Sequence, residues 1–188
     1  MNKKCNLSNV TKNYLTKFRE ILNKMIEGMT SAELTNSISH NFIVQMIPHH
    51  QAAIEMSKNI LKYTTNIPLQ NIALSIINEQ KQSIENMLDV KDTCSMLSNT
   101  KCDLQLYKLK FEKITTTMFS QMENSIVTNN VNSNFIREMI PHHRGAIRMS
   151  NNALNYNICN ELKPIIYKII KSQTKGIEQM NSILRCIQ

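Results

Sequence analysis

The stretch Asn41-Phe-Ile-Val-Gln-Met-Ile-Pro-His-His-Gln-Ala-Ala-Ile-Glu-Met-Ser-Lys-Asn-Ile-Leu61 decides the fold, because the chain spells it twice. Residues 134–154 align with it at an offset of 93, and 14 of the 21 positions are identical. The same register continues on both sides. Downstream, Leu69, Ile72, Ile76, Gln80, Glu85 and Met87 match Leu162, Ile165, Ile169, Gln173, Glu178 and Met180. Upstream, Tyr14, Phe18, Ile21, Met25 and Met29 match Tyr107, Phe111, Ile114, Met118 and Met122. A repeat of this length and fidelity is a duplicated structural unit. The first unit spans 1–93 and the second 94–188.

Each unit reads as three helices. Over 9–31, Tyr14, Phe18, Ile21, Met25 and Met29 recur at three and four residues, the spacing of one apolar helix face. Ser37 or Ser39 is placed to cap a second helix over 38–63, since either hydroxyl can accept from a free first-turn N–H. Asn66 before Ile67-Pro68 starts a third over 67–92, with proline in the first turn where its missing N–H costs nothing. The second unit repeats this at 101–124, 131–156 and 161–187, and polar residues 91–100 form the joint. The predicted fold class is all-α, a helical bundle of two homologous three-helix repeats about a pseudo-twofold axis.

Composition agrees. Three glycines, four prolines and 5% aromatics in 188 residues leave too few turns and strand-formers for an all-β fold. No run of 18 apolar residues occurs, so no transmembrane segment is expected. Met1-Asn-Lys-Lys-Cys-Asn6 is not followed by an apolar stretch, so the expectation is a cytoplasmic protein unless a leader was removed. The five cysteines form no CxxC pair, and reduced thiols are expected. The net charge of +8 divides into +2 over 1–93 and +6 over 94–188, with Lys163, Lys168, Lys171 and Lys175 sharing part of one helix surface. Without aromatic interleaving or a nucleic-acid motif, that stripe reads as a solvated face, and no nucleic-acid partner is expected.

The double histidine is the chemical feature. With Met46 at zero and about 100° per residue, His49 lies about 60° to one side of the apolar stripe and His50 about 40° to the other. His142 and His143 repeat this around Met139. Imidazole nitrogens at the edge of an apolar face lose water and need partners. Those partners are either protein groups, such as a carbonyl or Gln80 and Glu85, or a ligand. Both pairs persist while neighbours drift, Gln45 to Glu138 and Glu55 to Arg148, which favours a ligand site. Pro48 and Pro141 each remove a helix hydrogen bond at a cost of roughly 3 kcal/mol. The bend expected there aims the imidazoles or merely fits a curved bundle.

Imidazole with thioether sulfur suits a soft metal, copper above all. The candidate ligands are His49, His50, His142 and His143, with Met46 and Met139 a turn away; other methionines read as core. Di-iron chemistry wants inward glutamates with Glu-x-x-His spacing, which is missing. No glycine-rich phosphate loop and no nucleophile beside a base is matched in both units, so no enzyme is expected.

The string Phe-Ile-x-x-Met-Ile-Pro-His-His-x-x-Ala-Ile-x-Met, followed by Ile-Ile-x-x-Gln-x-x-x-Ile-Glu-x-Met, resembles the bacterial family called domain of unknown function 305. The resemblance covers nearly the whole chain, twice. It implies a ferritin-like helical bundle and metal binding at the double histidine, and some relatives are secreted or periplasmic copper-binding proteins linked to copper tolerance. Carried over by position, it implies His49, His50, His142 and His143 as ligands, with Met46 and Met139 as candidates. The chain departs from the family in its continuation, Gln51-Ala-Ala-Ile-Glu-Met56 and Arg144-Gly-Ala-Ile-Arg-Met149, where relatives carry Gln-Gly-Ala-Ile-Asp-Met. The expected function is copper binding for storage, buffering or tolerance. Two rivals stay open: a helical scaffold whose histidines close buried hydrogen bonds, and a ferritin-like redox enzyme.

Overall fold

The computed structural model describes residues 6–187, and within them every regular element is a helix. These are α1 (Asn9–Thr30), α2 (Ile38–Ile60), α3 (Ile67–Ser95), α4 (Lys101–Glu123), α5 (Val131–Leu154) and α6 (Leu162–Ile187). Local chemistry sets the starts. Side chains of Ser8, Ser37, Asn66, Thr100 and Asn130 accept from the N–H groups of Thr11, His40, Leu69, Asp103 and Ser133. Each satisfies a donor that the first helical turn leaves free. Ser37, not Ser39, is therefore the cap of α2, and the Ser39 hydroxyl instead accepts from the Cys159 N–H at 2.9 Å. The third helix outruns its expected end, because Cys94 is wholly buried and Val90 packs on the core.

The helices form a ferritin-like bundle of two three-helix repeats. α2 packs on α1, α3 and α5; α5 packs on α4, α6 and α2; α3 closes against α6. The second helix of each repeat is thus central and the first is peripheral. This placement corrects the expected geometry of the double histidine. Its residues lie not at the edge of an apolar face but inside, because α2 and α5 are covered on nearly every side. The helical backbone runs on through Pro48 and Pro141.

Burying a central helix requires its polar residues to be paired. The Asn59 amide donates to the Tyr14 carbonyl and Asn152 to the Tyr107 carbonyl, each at 3.1 Å. Asn41 accepts from the Thr35 N–H and donates back to its carbonyl, and Asn134 does the same with Thr128. Two of the identities between the repeats, Asn59/Asn152 and Asn41/Asn134, are explained as these clamps on the neighbouring chain.

A disulfide joins Cys94, at the end of α3, to Cys159, before α6, with Cα atoms 5.3 Å apart. That separation suits a bridge. The expectation of reduced cysteines is corrected for this pair, which ties the end of α3 to the segment before α6 and has no counterpart by duplication. Cys102 and Cys186 are exposed thiols, and Cys5 lies outside the described residues. Among the described residues no helix is long and apolar enough to cross a membrane.

Candidate metal centre

The α2–α5 contact brings the two repeats' histidines together. The rings of His49 and His142 stack with centroids 3.6 Å apart, across the pseudo-twofold relation. The Nε2–H of His49 donates to the His142 carbonyl at 3.2 Å, and the Nε2–H of His142 donates to the His49 carbonyl at 3.1 Å. A carbonyl can only accept, so both rings carry their proton on Nε2. In the neutral form Nδ1 is then a bare lone pair, and in both rings it is buried without a partner.

His50 and His143 turn away from this stack, each 5.9 Å from its neighbouring ring. Successive helical residues point about 100° apart, so adjacent histidines diverge. His50 Nε2 lies 3.0 Å from the Ser83 hydroxyl of α3. The second repeat has Gly176 at that position, packed so tightly that a Cβ would sit 2.9 Å from His143 Nε2. Nδ1 of both outer rings is again buried and unpartnered. Met46 and Met139 are buried beside their pairs at 1% and 0% exposure, so all six candidate ligands are interior. Among the described residues, no three histidines bring ring nitrogens within 4.8 Å of one another. The four imidazoles therefore make a central stacked pair with one outer ring on each side, not a single closed cage.

Burial holds all four rings neutral. Loss of water, reinforced by the charge of His142, pushes His50 down to about 3. His142 falls to about 4 by desolvation, opposed by its bond to the His49 carbonyl. His49 and His143 are lowered well below the usual range by desolvation first and by the other histidines second. A neutral imidazole whose N–H is anchored on a carbonyl and whose second nitrogen is free is the form that binds a metal ion, with the carbonyl fixing tautomer and ring orientation. The donor set fits a soft cation: buried imidazole nitrogens without partners, with the buried thioethers of Met46 and Met139 one turn earlier on the same helices.

Three features escaped the sequence reading. Ser83 and Gly176 occupy equivalent positions, so their mismatch was available as a signal that the outer histidines differ. Tyr14 donates to Glu138 across the repeats at 2.5 Å, whereas their counterparts Tyr107 and Gln45 form no hydrogen bond, leaving the Tyr107 hydroxyl and Gln45 Oε1 unpartnered. The Glu161 carboxylate lies within 4.8 Å of both sulfurs of the Cys94–Cys159 bridge, a grouping no local motif announces.

The family model described as domain of unknown function (DUF305) matches residues 19–91 and, in a second match, 39–184. The chain belongs to the DUF305 family. Solved structures of similar fold include CopM in the Cu(I)-bound form, 26% identical, covering 81% of this chain and 97% of that one with a TM-score of 0.57. CopM in the Cu(II)-bound form is 25% identical, covering 80% and 97%, with a TM-score of 0.60. A DUF305 fragment from Deinococcus radiodurans, 18% identical over 78% of this chain and 95% of the fragment, shares the fold at a TM-score of 0.56. No curated protein matches the sequence.

Proposed function

We propose that this DUF305 protein binds copper for storage, buffering or tolerance, without catalysis. Its repeats, 1–93 and 94–188, contribute one double histidine each. His49, His50, His142 and His143 are the ligands, with Met46 and Met139 supplying sulfur. The observation that carries this reading is the set of four buried Nδ1 atoms without a partner. Buried polar groups are seldom left so, and each orphan costs about 1–3 kcal/mol that a ligand would recover. CopM, a structural relative, has been solved with Cu(I) and Cu(II), which supports copper as the metal to try first.

The reciprocal His49–His142 carbonyl bonds favour one rival, a scaffold in which the histidines clasp the repeats. A Cu(I) competition titration against a chromophoric chelator, under ascorbate, separates the two. It is run in a Cys102→Ser/Cys186→Ser background to remove the exposed thiols. Circular dichroism establishes that the quadruple variant His49→Gln/His50→Gln/His142→Gln/His143→Gln is helical. Tight binding that this variant loses is the expected result. No binding by the parent, or equal binding by both, overturns the assignment.

A further inference from the structure

We propose that the cleft between α3 and α6 is a binding site for a small organic anion bearing carboxylate or phosphate groups. The cleft encloses about 320 Å³, a volume typical of small-ligand pockets. His50, Gln80 and Gln173 contribute to its wall, together with Lys168, Lys171 and Lys175 of α6. The inference needs no metal and does not rest on the copper reading, although His50 belongs to both sites.

Two observations converge. The first is charge. The three lysines are spaced at three and four residues, which sets them along one face of α6. Among the described residues none has a carboxylate within 4.0 Å, since the ion pairs there are Lys17–Glu20, Lys58–Glu55 and Lys108–Glu112. Their equivalents in the first repeat are Ser75, Asn78 and Gln82, so the bundle does not require cations at these positions. Glu79 also lines the cleft, but its carboxylate accepts from the Ser75 hydroxyl at 2.8 Å, and the lining keeps a surplus of two positive charges. Like charges on adjacent turns repel, and an anion between them relieves that repulsion.

The second observation is the Gln80 amide. The residue is 1% exposed, and neither its oxygen nor its nitrogen has a partner. Gln173, its equivalent on the facing helix, is 3% exposed with Oε1 unpartnered. Buried primary amides are normally paired, and the NH2 group of Gln80 is a donor on the cleft wall with nothing to donate to. Lysine ammoniums for the anionic groups and an idle amide for a further oxygen make a complementary set. The volume exceeds what one inorganic phosphate fills, which favours a polycarboxylate or a sugar phosphate.

The test uses the metal-free full-length protein and two probes, citrate and glucose 6-phosphate, read by calorimetry and by amide shifts of α3 and α6. At least one should bind, and which one decides between carboxylate and phosphate. Lys168→Ser/Lys171→Asn/Lys175→Gln installs the first repeat's own residues and should weaken binding about tenfold or more, as exposed charges acting together allow. Gln80→Leu should weaken it with the lysines intact. Lys101→Gln/Lys110→Gln/Lys113→Gln removes the same charge from α4 and should change little. The proposal is overturned if neither probe binds at millimolar concentration. It also falls if the α4 variant loses as much as the α6 variant, which marks a net-charge effect.

Discussion

Replacing Glu138 by glutamine should stabilise the protein, and should do so increasingly as pH rises. The position is the second repeat's equivalent of Gln45, so a buried glutamine is already accommodated at the matching place in the first repeat. Glu138 is 1% exposed; one oxygen accepts from the Tyr14 hydroxyl at 2.5 Å and the other, Oε1, has no partner. Burial pushes its carboxyl up to about 8, against the opposing pull of Tyr14 and of Arg19. The sign follows from proton counting. An unfolded glutamate ionises near 4.5, whereas the folded one keeps its proton to about 8. Between these values the folded state binds more protons, so stability falls as pH rises through that window and levels off above it. At about 1.4 kcal/mol per unit, the gap between about 8 and 4.5 sets a ceiling of ~5 kcal/mol. Local relaxation reduces this to about 2–4 kcal/mol. Glutamine retains an oxygen for Tyr14 and removes the ionisation. Urea unfolding at pH 5, 7 and 9 should find the variant within about 1 kcal/mol of wild type at pH 5 and clearly more stable at pH 9. A difference that does not grow between pH 5 and pH 9 would refute the reasoning.

Two further outcomes follow from the same interior. The Cys94–Cys159 bridge spans a sequence separation of 65, for which loop entropy predicts a contribution of ~4 kcal/mol. Cys94→Ala/Cys159→Ala should therefore unfold at markedly lower urea, whereas an unchanged midpoint, or a thiol assay finding every cysteine free in the air-oxidised protein, contradicts the bridge. The histidines set the acid limit. Their folded pKa values lie below 6.5, about 4 for His142 and about 3 for His50, so the unfolded chain takes up protons first. The stability they confer is complete above pH 6.5 and declines as pH falls towards 4 and 3. Proton NMR should find His50 and His142 neutral at pH 5.5 in the folded protein, and rings titrating near 6.5 would count against their burial.

Much of the architecture was legible because it is local. Helix starts at Ser37 and Asn66 are decided by side chains three residues from the N–H they cap. The duplication declares itself by direct comparison of the two halves, and the family follows from the same strings. The double histidines stood out for a related reason, since both copies kept them as neighbours changed. The rotational reading of α2 was less successful. A single helix shows which face is most apolar, yet α2 meets α1, α3 and α5, so residues flanking the stripe are interior as well.

What the chain determined by itself was the set of helices, their pairing into two equivalent units and the identity of the interior imidazoles. These depend on periodicity, capping and repetition, which act over a few residues or by simple comparison. Tertiary structure alone decided the stack of His49 on His142, the Tyr14–Glu138 contact, the Cys94–Cys159 bridge and the lysine rim facing Gln80. Each joins groups that are distant in sequence, and three of the four break the symmetry of the duplication. Tyrosine meets a carboxylate in one repeat interface and not in the other, cysteines pair without counterparts, and lysines oppose neutral equivalents. Such contacts arise from how the packed bundle brings unlike surfaces together, and no periodicity along one helix encodes them.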